Sequence, residues 1–505
     1  MKPFLNSLLQ LCPRGSVSLL SRTMPERFGG KHRSVTSVHA YNTKGENTRP
    51  TERYPMPNKK DLPHDIMEHL EEAEVKNGFL PNVFKVMANR PEEFRVFFTY
   101  HDVIMNKKTG KLSMADKELI AVAVSTVNHT PYCVTAHSAS HRKYSKKPTL
   151  ADQVVVNWKM ADLSDREVAM LEFAFAVSRA DNITEEHFQK LEAHGFDRED
   201  AWDIGSISAF FAMANRIALF TDMRPNPEFY NMDRQEDKTH RRLTIRIVRS
   251  CFRKGTMIKR FLLSGFLHLR RRGGGSVSFL PLSVSGNLWG RSQSVALNHP
   301  KNTEGENITK AIGRYPIPKK TDLPYDIVEL MEEMEVKTGF LPNVFKVMAH
   351  RPAEFRAFFA YYNAIMNKET GNLSKADKEL IIVATSIVNH CPYCVIAHSA
   401  LHRIYSKKPI LADQVAVNWK LADLNDREMA ILDFALAICR ADNITEEHFQ
   451  KLEAHGFDRE DAWDIGSISA FFAMSNRLAH LIDLHPNPEF YIMGRIPREK
   501  KTSSS

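Results

Sequence analysis

Apolar residues recur at three- and four-residue spacing through most of the chain, and no stretch alternates with period two. The pattern predicts an all-α protein. A helix starting at Asp61 or Pro63 is expected to run to Asn77 and stop at Gly78, the natural place for a left-handed C′ residue. Further helices are predicted over 91–106, 113–128, 131–145 and 149–160. Ser164, Thr184 and Asp197 are suitable N-caps for helices over 165–179, 185–194 and a long one reaching about Asp222. The run Gly205-Ser-Ile-Ser-Ala-Phe-Phe-Ala-Met213 lets another helix approach closely, so it reads as a packing or subunit-interface element or as a plain core helix. Trp202 and Trp463 read as core residues.

The pattern then repeats, shifted by 261 positions, with no gap between 53–230 and 314–491. Arg53-Tyr54-Pro55 returns as Arg314-Tyr315-Pro316, and Lys190 to Ile207 returns unchanged as Lys451 to Ile468. A period of that length exceeds any solenoid unit, so each copy is expected to be a whole domain with its own core. The predicted division is a presequence-like segment over 1–50, a first helical domain over 51–232, a linker over 233–313, a second helical domain over 314–495 and a tail over 496–505.

The chemistry concentrates in the second copy, between Glu379 and His402, around the only Cys-x-x-Cys in the sequence. Pro392 suits the first position of a helix, so Cys391 is expected at the N-cap and Cys394 at N3. Free backbone amides and the helix dipole favour thiolate there. His398 and His402 follow Cys394 at four-residue intervals on one helix face. Ser374 and Asp377 open the preceding helix in a capping-box-like start. If the two helices form a hairpin about Asn389 and His390, Glu379 lies roughly 15 Å from the corner, His398 roughly 10 Å and His402 roughly 16 Å. Distance alone therefore slightly prefers His402 as the partner of Glu379.

The spacing Glu379-x11-Cys391-x2-Cys394-x3-His398 resembles the active-site signature of the alkyl hydroperoxidase D-like family, within the carboxymuconolactone decarboxylase superfamily. Phe340-Leu-Pro-Asn-Val-Phe345 and Arg351-Pro-x-Glu-Phe355 resemble its uncharacterised peroxidase-related branch. The resemblance implies an all-helical, commonly oligomeric fold that reduces hydroperoxides or exchanges disulfides through its cysteine pair. It implies His398 in the relay position, Cys394 as the nearest cysteine and Cys391 as its disulfide partner. No cofactor is expected; the reductant would be an external dithiol or a thioredoxin-like protein. The rival readings are a non-catalytic redox-sensing protein and a lactone-decarboxylating lyase, the latter disfavoured because it needs no cysteine pair.

The first copy keeps Glu118, Cys133, His137 and His141, but Thr130 stands where the second has Cys391. Threonine caps helices well, so the helix start is expected to survive while one sulfur is lost. Cys133 then has no disulfide partner in its own motif, and the first copy reads as a one-cysteine site or as a degenerate, mainly structural domain.

Composition refines this picture. The chain has 505 residues, 43% of them hydrophobic, with a formal charge of +9. From Lys238 to Thr303 there is no Asp or Glu, so the positive excess sits in the linker and argues against a nucleic-acid docking face. The segments from Met1 and from Met257 are alike in being basic, rich in Leu and Ser and free of acids. They suggest a mitochondrial presequence and its duplicate, with a cytoplasmic location as the alternative. No apolar run reaches the ~20 residues of a membrane span. Six cysteines, at 12, 133, 251, 391, 394 and 439, do not make a secretory framework. Zinc is a poor fit, because no second Cys-x-x-Cys or His pair completes four ligands. Cys439 reads as a buried apolar residue. The copies are expected to pair with each other or with other chains.

Overall fold

Helices form where the pattern puts them, and the computed structural model describes residues 53–234 and 312–495 apart from positions 109, 369 and 370. The expectations for the presequence, most of the linker, the tail, Cys12 and Cys251 lie outside those residues. The first copy contains α1 (His64–Asn77), α2 (Asn82–Met87), α3 (Pro91–Met105), α4 (Met114–Val127), α5 (Pro131–Ser145), α6 (Leu150–Asn157), α7 (Asp165–Ser178), α8 (Glu185–Ala193), α9 (Arg198–Phe220) and α10 (Glu228–Asn231). The second repeats them as α11 (Tyr325–Thr338), α12 (Asn343–Met348), α13 (Pro352–Met366), α14 (Lys375–Val388), α15 (Pro392–Ser406), α16 (Leu411–Asn418), α17 (Asp426–Cys439), α18 (Glu446–Glu453), α19 (Arg459–Leu481) and α20 (Glu489–Ile492). No strand occurs among the described residues.

Thr184 takes the N-cap place of α8 with its hydroxyl bonded to the His187 ring and not to a helix amide, whereas the other expected caps are formed. Ser113, Ser164 and Asp197 each accept from backbone amides within complete capping boxes, and Gly78 ends α1 at φ +79°. Two elements, α2 and α10, are too short to leave a periodic trace. The stretch 149–160 breaks at Asn157, whose side chain accepts from the Lys159 amide and turns the last three residues into a 3₁₀ turn. Thr130 takes the N-cap place of α5, but its hydroxyl donates to the Asn128 carbonyl instead of accepting from the helix.

The copies do not keep separate cores. One cluster of buried apolar residues runs through both, joined where α9 lies along α19 and α3 along α13. The polar contacts between them recur 261 residues away, the reciprocity of a twofold-related interface, except that His350 meets Glu199 where Asn89 makes no such contact with Glu460. Trp202 and Ser206 donate to Glu354 Oε2 at 2.9 and 2.8 Å, and Trp463 and Ser467 donate to Glu93 Oε2 at 3.0 and 2.7 Å. Arg216 donates to the Cys439 carbonyl, and Arg477 to that of Ser178. Burial lowers the pKa of both guanidinium groups, the charge of Arg216 adding to the effect at Arg477, whose value falls to about 9. Direct hydrogen bonds to main-chain carbonyls compensate part of that desolvation.

The small residues of 205–213 are what allow the approach. A Cβ added at Gly205 would sit 2.5 Å from Leu481 Cδ2, and one at Gly466 2.9 Å from the Phe220 ring. Gly205→Val is expected to lower the unfolding free energy by about 1–3 kcal/mol, the usual cost of overpacking, read as a shift in the urea midpoint.

Candidate active site

The central hairpin of the second copy is fixed at both ends of α14. Lys378 is buried and donates from Nζ to the carbonyls of Met366 and Lys368 at 3.1 and 2.7 Å, capping the end of α13 with a cation. That contact anchors α14 beside α13 and turns the next residue, Glu379, inward. At the other end α14 closes in a Schellman motif: His390 takes φ +53°, its amide bonds the Ile387 carbonyl, and the Cys391 amide bonds that of Ser386. The chain therefore reverses into Cys391 as N-cap and Pro392 as first residue of α15.

Glu379 Oε2 lies 2.7 Å from His398 Nδ1, so His398 and not His402 is its partner. His402 lies a turn further along α15, with Nδ1 3.5 Å from the Ser406 hydroxyl. Burial drives its pKa down to about 4, only partly offset by Glu428, and it stands outside the carboxylate–imidazole pair. Burial also disfavours the charged form of His398, but the field and hydrogen bond of Glu379, with the Cys394 sulfur, outweigh it and raise its pKa. The ring packs edge-on against Phe472 at 4.8 Å.

The two sulfurs differ. Both are free and buried. The Cys391 thiol donates toward Cys394, which with the nearby His398 charge brings the Cys394 pKa below the ordinary thiol value despite burial. Burial and that same neighbour push Cys391 the other way. The helix N-terminus thus does not acidify both cysteines: desolvation wins at Cys391. The Cys394 sulfur also lies 4.0 Å from the Ser475 hydroxyl. Cys394, His398 and Glu379 line a cavity of about 280 Å³, walled by Phe359, Tyr362 and Phe472, and Cys391 is not among its lining residues.

Sequence reasoning missed Asn476. Its Oδ1 accepts from Asn389 at 3.0 Å, which aims its amide at the Ser386 hydroxyl and lowers the pKa of both thiols by hydrogen bonding. Cys439 is buried as expected, with its sulfur 3.5 Å from the Asn389 amide.

In the first copy Glu118 Oε2 and His137 Nδ1 stand 2.6 Å apart. Cys133 has no sulfur beside it, and burial, tempered by Asn215 and Ser125, pushes its thiol up to about 12. His141, the counterpart of His402, has its pKa lowered by burial.

A model described as the carboxymuconolactone decarboxylase family matches residues 91–176 and 352–407, one stretch in each copy. A solved structure from Ralstonia eutropha JMP134, described as an alkylhydroperoxidase AhpD core and an uncharacterized peroxidase-related protein, is 54% identical over 37% of this chain and 99% of its own, with a TM-score of 0.37. This chain belongs to the carboxymuconolactone decarboxylase family. A second solved structure, an uncharacterized peroxidase-related protein from Silicibacter sp. TM1040, is 35% identical over 38% of this chain and 100% of its own, with a TM-score of 0.36. No curated protein matches the chain. The family and these AhpD-like relatives place the protein among AhpD-like enzymes as a tandem duplicate. Among the described residues no helix is long and apolar enough to cross a membrane.

Proposed function

We propose that the second copy is a thiol-dependent peroxidase that reduces hydroperoxides through Cys394 and Cys391. The observation that supports it best is the series Glu379, His398, Cys394 and Cys391, in which the sulfur that lines the cavity is also the one made acidic. Glu379 holds the proton on Nδ1 of His398, leaving Nε2 to take the proton of Cys394. The Cys394 thiolate attacks the terminal oxygen of ROOH. The O–O bond breaks, an S–O bond forms, and the departing alkoxide takes the proton from the imidazolium and leaves as ROH. Cys391 then attacks the sulfenic sulfur, its proton leaving with the departing hydroxide as water, and the two sulfurs close a disulfide. The two electrons that reduced the peroxide came from these thiols. A dithiol or thioredoxin-like reductant returns them.

The test is stopped-flow oxidation of the full chain by cumene hydroperoxide. Two thiols are expected to be lost per peroxide, with a pH–rate midpoint below the ordinary thiol value because deprotonation of Cys394 is favoured. His398→Ala is expected to slow the step by roughly 10²–10⁴, the usual contribution of a general base, while His402→Asn leaves it unchanged. Equal rates in both variants would sink the relay.

A further inference from the structure

The first copy has lost its second sulfur, yet it has not closed its cavity. The space is about 370 Å³, larger than the second copy's 280 Å³. Three substitutions widen it: Ala73 stands where the second copy has Met334, His101 where it has Tyr362, and Ser140 where it has Leu401.

The Tyr362 position is informative. In the second copy this phenol lines the cavity, its ring 6.4 Å from Phe472 and its hydroxyl within the field of Glu379. In the first copy the His101 ring sits 5.9 Å from Phe210, much as Tyr362 sits 6.3 Å from Phe471, but its Nδ1 lies 3.4 Å from Asp102. The first copy thus lacks the hydroxyl that Tyr362 brings to the second cavity, while Tyr144, the counterpart of Tyr405, still lines the space. Because Glu118 holds the proton on Nδ1, Nε2 of His137 is the ring nitrogen free to meet a ligand. The Cys133 thiol, which lines the same cavity, stays protonated, so no thiolate competes for that nitrogen.

We propose that the first copy is a binding site for small phenols, the ligand's ring lying among Phe84, Phe98 and Phe211 and its hydroxyl sharing a proton with Nε2 of His137. The ligand takes the place that the second copy fills with its own Tyr362. Aromatic walls supply most of the contact, and His137 supplies orientation. A phenol suits this nitrogen in either protonation state, donating to a neutral ring or, as phenolate, accepting from a charged one.

The probe is 4-nitrophenol, whose absorption changes on ionisation, titrated into the full chain and followed by calorimetry and by its visible band. One molecule is expected per chain, with a band shift on binding. Nitrobenzene, equal in shape but lacking the hydroxyl, is expected to bind at least tenfold more weakly. His101→Tyr and Ala73→Met, each restoring the second copy's residue, are expected to weaken 4-nitrophenol at least tenfold at unchanged melting temperature. If His101→Tyr does not fold, Ala73→Met alone carries the comparison. Undiminished binding in a folded variant, equal binding of nitrobenzene, or no binding to the parent chain overturns the proposal. No arm uses peroxide, so failure here is distinct from failure of the peroxidase reading.

Discussion

Cys394→Ser is expected to abolish peroxide-driven oxidation of the second copy, whereas Cys391→Ser is expected to keep the first oxidation and lose turnover. The asymmetry follows from position. Only Cys394 lines the cavity, and it alone is held below the ordinary thiol value. A serine hydroxyl there can neither ionise near neutral pH nor accept oxygen, so the rate should fall to that of the remaining, protonated thiols. Removing Cys391 costs Cys394 its largest acidifying contact, so the first oxidation should slow and its pH–rate midpoint should rise toward the ordinary thiol range. The product then stops at sulfenic acid, because no second sulfur lies beside it. Trapping with dimedone and intact mass measurement distinguish the cases: an adduct on the Cys391→Ser chain and none at that site on the Cys394→Ser chain. An adduct at Cys391 in the Cys394→Ser chain would reverse the order of attack.

Much of this site was legible beforehand, and the parts that were not share a cause. Helix starts are written locally, in Ser374 with Asp377 and in Cys391 with Pro392, so α14 and α15 could be placed to within a residue or two. The choice between His398 and His402 could not be made from a straight hairpin. The candidates differ by one helical turn, ~5.4 Å, and a glutamate side chain spans a comparable distance. Which sulfur faces the cavity was equally hidden, because that depends on Phe472 and Ser475 of α19, more than seventy residues away in sequence. The shared core was hidden for the same reason. A repeat of 261 residues suggests two self-sufficient domains, and only the placement of Glu354 against Trp202 and of Glu93 against Trp463 reveals that each copy completes the other. Nothing local marks Asn476, because it is Asn389, on another helix end, that fixes which end of its amide points at the sulfurs.

That mutual completion makes Glu93 and Glu354 the places where a single change should cost the most stability. Glu354→Ala would leave the Trp202 indole N–H and the Ser206 hydroxyl buried without an acceptor, and would strip Arg351 of a nearby charge. Losing the charged acceptor of buried donors costs about 3–5 kcal/mol, enough to unfold a marginal protein. The same carboxyls set a pH dependence. Burial raises the pKa of both, and their hydrogen bonds and the neighbouring arginines only partly reverse it. A carboxyl with a raised value in the folded state binds its proton more firmly there than in the unfolded chain. Its contribution is therefore fully present below the unfolded glutamate value of ~4.3 and is lost as pH rises through the folded value. The urea midpoint of the parent chain should carry a component that falls over that interval. Replacing both residues by glutamine keeps an oxygen for each tryptophan and removes the titration, so that component should vanish from the double variant. An identical pH profile in parent and double variant would show that the two carboxyls do not titrate between the folded and unfolded states.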